Sequence, residues 1–287
     1  MAATVTAASA AIILNESSTI KPTMLASIGE PTEAHLQEAR KLLTEIPDNL
    51  KDAAHEPFGS RAIVYCLLLD TSNEKTRTRQ VKQLQMNADP SVYRATMGLK
   101  EDISNLHGRC RLPLLDLSIP ALKQLSNQEK EKFKINMLAL IKADYLIELM
   151  EWSLYRIVIQ HLDPPKTSNK HVSIKAVAED CQQLLSAVAL TCGNSAQESE
   201  ALFKQGWQQL KLPEANLKTD ALEDISILDK SLKRTNYIYP LKKPIVLKAC
   251  CACLADNKDP VSIELIRAIG DGLDTPIPLM LDQQSFS

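Results

Sequence analysis

The sequence predicts an all-α protein, a multi-helix array, and three observations carry that expectation. Leu, Ala, Lys, Glu and Gln, all good helix formers, are plentiful, whereas Gly occurs only 8 times in 287 residues. Few stretches show the alternation of β-branched and aromatic residues that marks strands, and aromatics make up 4% of the chain. Segment after segment places apolar residues at helical spacing behind a Ser, Thr or Pro start signal.

The elements follow in order. Residues 1–29 are rich in Ala, Ser and Thr without a sustained period, as in a flexible linker or tail. Thr32 is a candidate N-cap for a helix over His35 to Leu43, and Pro47-Asp48 restarts one through Leu50, Ala53 and Ala54. Arg61 to Leu69 is apolar enough for a buried helix or a strand; helical patterns on both sides favour helix. Glu74 to Met86 is polar, anchored by Val81 and Leu84, and Val92 to Leu106 follows. Pro113 and Pro120 predict a turn over the start of Arg111–Leu122, with a helix opening at Pro120. Ser126 and Glu129 form a capping box for a helix through Phe133, Met137 and Leu140, with a break expected near Asp144-Tyr145 before the pattern resumes to His161. Residues 166–172 read as a loop. Further helices are expected over Ser173–Leu190, Ser195–Leu210, Thr219–Leu232, Pro244–Leu254 and Pro260–Leu273. This gives a linker over 1–29, a helical region over 30–118 and a helical domain over 119–287.

Composition excludes several functions. Lys plus Arg is 33 and Asp plus Glu 35, a net charge of −2, which argues against a general nucleic-acid binder. Lys75, Arg77, Arg79 and Lys82 read as a solvated helix face, with contact to a polyanion or a membrane surface as the alternative. No apolar run approaches the roughly 20 residues that span a bilayer, so no direct membrane span is expected. The start lacks the basic region of an export signal. The seven cysteines, an odd count, are expected as reduced thiols in the cytoplasm.

No catalytic constellation is evident. None of the five histidines forms His-Glu-x-x-His, and there is no Gly-x-Ser-x-Gly, Walker A or Gly-x-Gly-x-x-Gly motif. Cys250 and Cys253 make a Cys-x-x-Cys inside an apolar helical run, where buried structural thiols are expected rather than a zinc or redox site. One acidic element occurs twice. An apolar helix ends in Ala143-Asp144, and the next helix carries Glu148 and Glu151; a second ends in Ala255-Asp256, and Glu264 lies on the next. Such residues cap helices and turns. They are equally candidate ligands, Asp144, Glu148, Glu151, Asp256 and Glu264, for a divalent cation held across the turn.

The doubled Ala-Asp…Glu element resembles the TerB-like helical fold of tellurite-resistance proteins, with Tyr145 and Asn257 where that family has Gly. A longer resemblance runs through the chain. Leu25-Ala-Ser-Ile-Gly-Glu-Pro-Thr-Glu-Ala-His-Leu36, the run from Ala53-Ala-His-Glu-Pro-Phe to Leu69-Asp70, Arg111-Leu-Pro-Leu-Leu-Asp116, Ile119-Pro-Ala-Leu-Lys-Gln-Leu-Ser126 and Glu151-Trp-Ser-Leu-Tyr-Arg156 are similar to the C-terminal region of HtpX-like bacterial membrane zinc metallopeptidases. The resemblance implies a TerB-like domain over 119–287 and a non-catalytic accessory module. Zinc would belong only to a parent protease domain. The implied partner is the membrane metallopeptidase or its substrates, met in the cytoplasm at the inner face of the membrane. The alternative it leaves is a stand-alone divalent-metal-binding or stress-response protein.

Overall fold

The computed structural model describes residues 40–144, 147–164, 170–254 and 259–275. Twelve α-helices lie wholly within these residues, and their only β-type pairing is an isolated parallel bridge between Val172 and Ile238. The all-α expectation holds. No helix among the described residues is long and apolar enough to cross a membrane. The Thr32 cap, the linker reading and the motif at Leu25–Leu36 lie outside the described residues, where helix is seen from residue 40.

The first half is built around one buried helix. α1 (Asp48–His55) buries Leu50 and Ala54. α2 (Pro57–Leu67) opens on a proline and is buried continuously from Gly59 to Leu67, which is why its sequence carries no amphipathic period. A Cβ on Gly59 would lie 2.2 Å from the Ala53 carbonyl oxygen, so only glycine permits the close α1–α2 corner. α3 (Glu74–Asn87) is capped by the Asn73 side chain, which accepts from the Lys75 and Thr76 amides. α4 (Pro90–Ser104), α5 (Arg111–Lys123) and α6 (Asn127–Ile141) complete this half, and α2 touches α1, α4, α5 and α6. The Ser126–Glu129 capping box forms as expected.

α5 departs from the sequence expectation. It is one helix, preceded by a 3-10 turn over Gly108–Cys110, with Pro113 in its first turn and Pro120 inside it. Pro113 costs no bond, because first-turn amides have no helical partner. Pro120 removes one bond at a cost of about 3 kcal/mol. Leu112, Leu114, Leu115, Ile119, Ala121 and Leu122 are all buried, and burial at about 1.5–3 kcal/mol per large side chain outweighs that loss. The boundary expected between 118 and 119 therefore falls inside a continuous helix.

The second half comprises α7 (Leu149–Leu162), α8 (Ala178–Cys192), α9 (Ala196–Gln209), α10 (Ile225–Thr235), α11 (Lys243–Ala252) and α12 (Pro260–Gly272). α8 touches α9, α10, α11 and α12. Two starts differ from expectation. Ile174–Val177 is a 3-10 turn ahead of α8, and α10 begins after Asp224, whose side chain accepts from the Ser226 amide. α7 lies along α12 and also meets α5 and α6, so α5, α7 and α12 form the seam through which a single hydrophobic core continues from one half to the other.

Candidate functional site

The break near Asp144 is real: α6 stops at Ile141 and α7 starts at Leu149. α3 fixes this turn from the side. Gln80, fully buried, donates to the Leu68 and Leu140 carbonyls at 3.0 and 3.1 Å and accepts from the Asp70 amide at 2.8 Å. Arg79 donates to the Ala143 carbonyl at 3.4 Å. The end of α2 and the end of α6 are thus tied together through one helix.

Four carboxylates meet there. Glu151 is 8% exposed, and its carboxylate accepts from the Glu148 amide at 3.1 Å, one half of a capping box in which Glu148 takes the usual hydroxyl's place. Burial pushes the Glu151 carboxyl up to about 8; the Glu148 amide opposes this, while the charges of Glu148, Asp144 and Asp70 add to it. Glu148 is exposed and Asp144 half-buried. Asp70 accepts from the Ser72 hydroxyl and from the Ser72 and Asn73 amides, and these bonds hold it below the usual carboxylate range against its desolvation. Sequence reasoning missed Asp70. Its only signal is the Asp70-Thr-Ser-Asn turn at the end of an apolar run, and nothing in the sequence links that turn to Glu151.

The second acidic copy is placed differently. Glu264, 2% exposed on α12, forms an ion pair with Arg111 of α5, Nε to Oε1 at 3.1 Å. Asp256 lies outside the described residues. Asp144, Glu148 and Glu151 are therefore gathered at one turn, whereas Glu264 serves the α5–α12 contact. Among the described residues no three His, Cys, Asp or Glu side chains are grouped as ligands of a metal ion.

The same seam holds a charge network that the sequence did not reveal. Arg267 of α12 makes two bonds to Asp116 of α5, at 3.0 and 3.3 Å, and two to Asp271 at 3.0 Å; His161 of α7 lies 3.3 Å from Asp271. Burial leaves the Asp116 carboxyl above its ordinary range despite Arg267. In the first half, Arg61, 2% exposed, reaches Asp89 at 2.8 Å and Glu129 at 3.5 Å.

All seven cysteines are buried. Burial raises the Cys251 thiol to about 12 and pushes Cys250 and Cys253 well up, so the Cys-x-x-Cys carries neutral thiols within the α11 packing. On α3, Lys75, Arg79 and Lys82 are exposed, as a solvated face requires. A groove of about 410 Å³ runs between α8 and α10, with Lys218, Lys230, Lys233 and Arg234 facing Glu179 and Asp180. Three of those cations are already matched, Arg234 by Asp180 at 3.2 Å, Lys218 by Glu179 at 3.5 Å and Lys233 by Asp229 at 2.7 Å.

No family model, curated protein or solved structure matches the chain.

Proposed function

We propose that this chain is a non-catalytic accessory module of an HtpX-like bacterial zinc metallopeptidase, working in the cytoplasm by binding the protease or its substrates. One observation supports the reading most. Four of the five segments that resemble that family lie in described residues, and they pack together instead of being scattered. They supply the end of α1, all of α2, most of α5 and the first turns of α7. α2 packs on α1 and α5, and α5 on α7. Their residues Ala54, Ile63, Leu68, Leu114, Leu115, Ile119, Trp152 and Leu154 belong to the core. Segments that share a resemblance and also pack as one framework are what a shared fold would give. The test is co-expression with the HtpX-like peptidase of the same genome, reading co-purification and turnover of a membrane substrate. Stable capture with altered turnover is expected; no capture and unchanged turnover overturn the reading.

A second reading, a stand-alone TerB-like divalent-cation binder, is favoured by the acidic turn. Burial keeps Glu151 protonated near neutral pH, the charges of Glu148, Asp144 and Asp70 add to that, and a cation would offset those charges. Calorimetry with calcium, magnesium, manganese and zinc decides it. Binding tighter than about millimolar that is lost in Asp144→Asn and Glu151→Gln is the expected result of this reading; heat indistinguishable from dilution removes it.

A further inference from the structure

Among the described residues, the most exposed large apolar side chain is not near the acidic turn. Leu241 is 92% exposed on the 3-10 turn Pro240–Lys242, and Tyr239 and Tyr237 beside it are 53% and 48% exposed. Ile238 pairs with Val172 in the parallel bridge and is fully buried, while Tyr237 before it and Tyr239 after it are exposed. The Val172 amide donates to the Tyr237 carbonyl at 2.9 Å, and the Tyr239 amide to the Val172 carbonyl at 3.3 Å. The ring of exposed His171 lies 5.5 Å from that of Tyr239. The tip is thus braced by the bridge, with Leu241 standing out into solvent.

Charge along this stretch of chain is of one sign. From Lys230 to Lys248 the sequence holds Lys230, Lys233, Arg234, Lys242, Lys243 and Lys248 and no acidic residue, in a chain whose net charge is −2. Asp229 and Asp180, from outside the run, meet Lys233 and Arg234. Lys243 is buried, its Nζ donating to Asn236 Oδ1, with the Asp274 charge acting on it. Lys230 and Lys242 are exposed, as is Lys175 on the 3-10 turn that packs against α10.

The geometry points to this tip as a docking surface for an anionic phospholipid bilayer. A protruding aliphatic side chain enters the headgroup boundary, tyrosines sit at its level with ring buried and hydroxyl wet, and flanking lysines meet the negative headgroups. The chemistry favours lipid over a protein partner because the apolar group is a single, almost fully exposed side chain on a tight turn, with the exposed cation Lys242 next to it. A protein interface concentrates its apolar groups on a complementary, close-packed patch. The inference goes beyond the metallopeptidase reading and does not rest on it, since the chain alone is required to bind.

The test is co-sedimentation of the purified full chain with vesicles of phosphatidylcholine alone, and with vesicles containing about one third phosphatidylglycerol. Binding to the anionic vesicles only, weakening as salt rises, is expected. Leu241→Glu should lower it at least about tenfold and Lys242→Gln about fivefold. Both side chains are exposed, and an unchanged circular dichroism spectrum checks that the variants fold. Lys75→Glu with Lys82→Glu, on the basic face of α3, should leave binding unchanged. Three results overturn the inference: no binding to anionic vesicles, binding indifferent to Leu241→Glu, or a dimer abolished by Leu241→Glu in a chain that ignores vesicles.

Discussion

Glu151 retains its proton close to neutral pH because it is buried and faces three other carboxylates. Its ordinary value is 4.5 and its folded value about 8, so the folded chain holds the proton more tightly than the unfolded chain. The resulting stabilisation is complete below pH 4.5 and is lost as pH rises through about 8. Glu151→Gln, which can still accept from the Glu148 amide, should therefore raise stability at pH 9 by roughly 1–3 kcal/mol and change little at pH 5. Urea midpoints at the two pH values measure this; equal shifts at both would contradict the assignment. Glu148 and Glu151 are legible in sequence because capping is local. Asp70 is not, because what brings it to them is the buried Gln80 bridging α2 and α6, a contact between segments far apart along the chain. The Arg111–Glu264 pair escaped for the same reason: a carboxylate at a helix start looks identical in sequence when it caps, binds an ion or meets a distant arginine.

Helices here are set by how closely they must approach one another. Gly206, in α9, lies against α11: a Cβ would fall 2.2 Å from the Cys253 sulfur and 2.6 Å from the Ala249 carbonyl oxygen. Gly98, inside α4, has nothing within 4 Å of the same position. Helix propensity alone makes both changes to alanine favourable by about 1 kcal/mol. The expected outcomes have opposite signs. Gly98→Ala should stabilise by about 0.5–1 kcal/mol, and Gly206→Ala should destabilise by about 1–3 kcal/mol, read as shifts in thermal midpoint. Removing the α6 cap by Ser126→Ala should cost about 1 kcal/mol. That cap was legible in sequence as four residues. The continuity of α5 was not, since two prolines are strong local signals for a turn and only its burial on several faces overrides them.

At the scale of the molecule, the two halves are joined by α5, α7 and α12, and Arg267 bridges them alongside the Arg111–Glu264 pair. Asp116 and Arg267 stand 151 positions apart in sequence, so pairing them needs the complete fold. Arg267→Met leaves Asp116 and Asp271 without their shared cation, and it should cost about 3–5 kcal/mol. If the seam makes the halves unfold as one unit, the urea midpoint falls while the slope stays that of the whole chain. A split into two transitions would show that each half has its own stability. Most of the helix array was legible from spacing and caps, but the seam depends on long-range contacts that no local pattern records.

The buried thiols give that question a built-in reporter. Cys66 and Cys110 belong to the first half, and Cys181, Cys192, Cys250, Cys251 and Cys253 to the second. A neutral, shielded thiol reacts with a labelling reagent only while its surroundings are open. Mass spectrometry of slowly labelled native protein therefore times the breathing of each half separately. If the seam holds them as one, both groups of cysteines acquire label at a common rate set by global opening; if it does not, one group runs ahead.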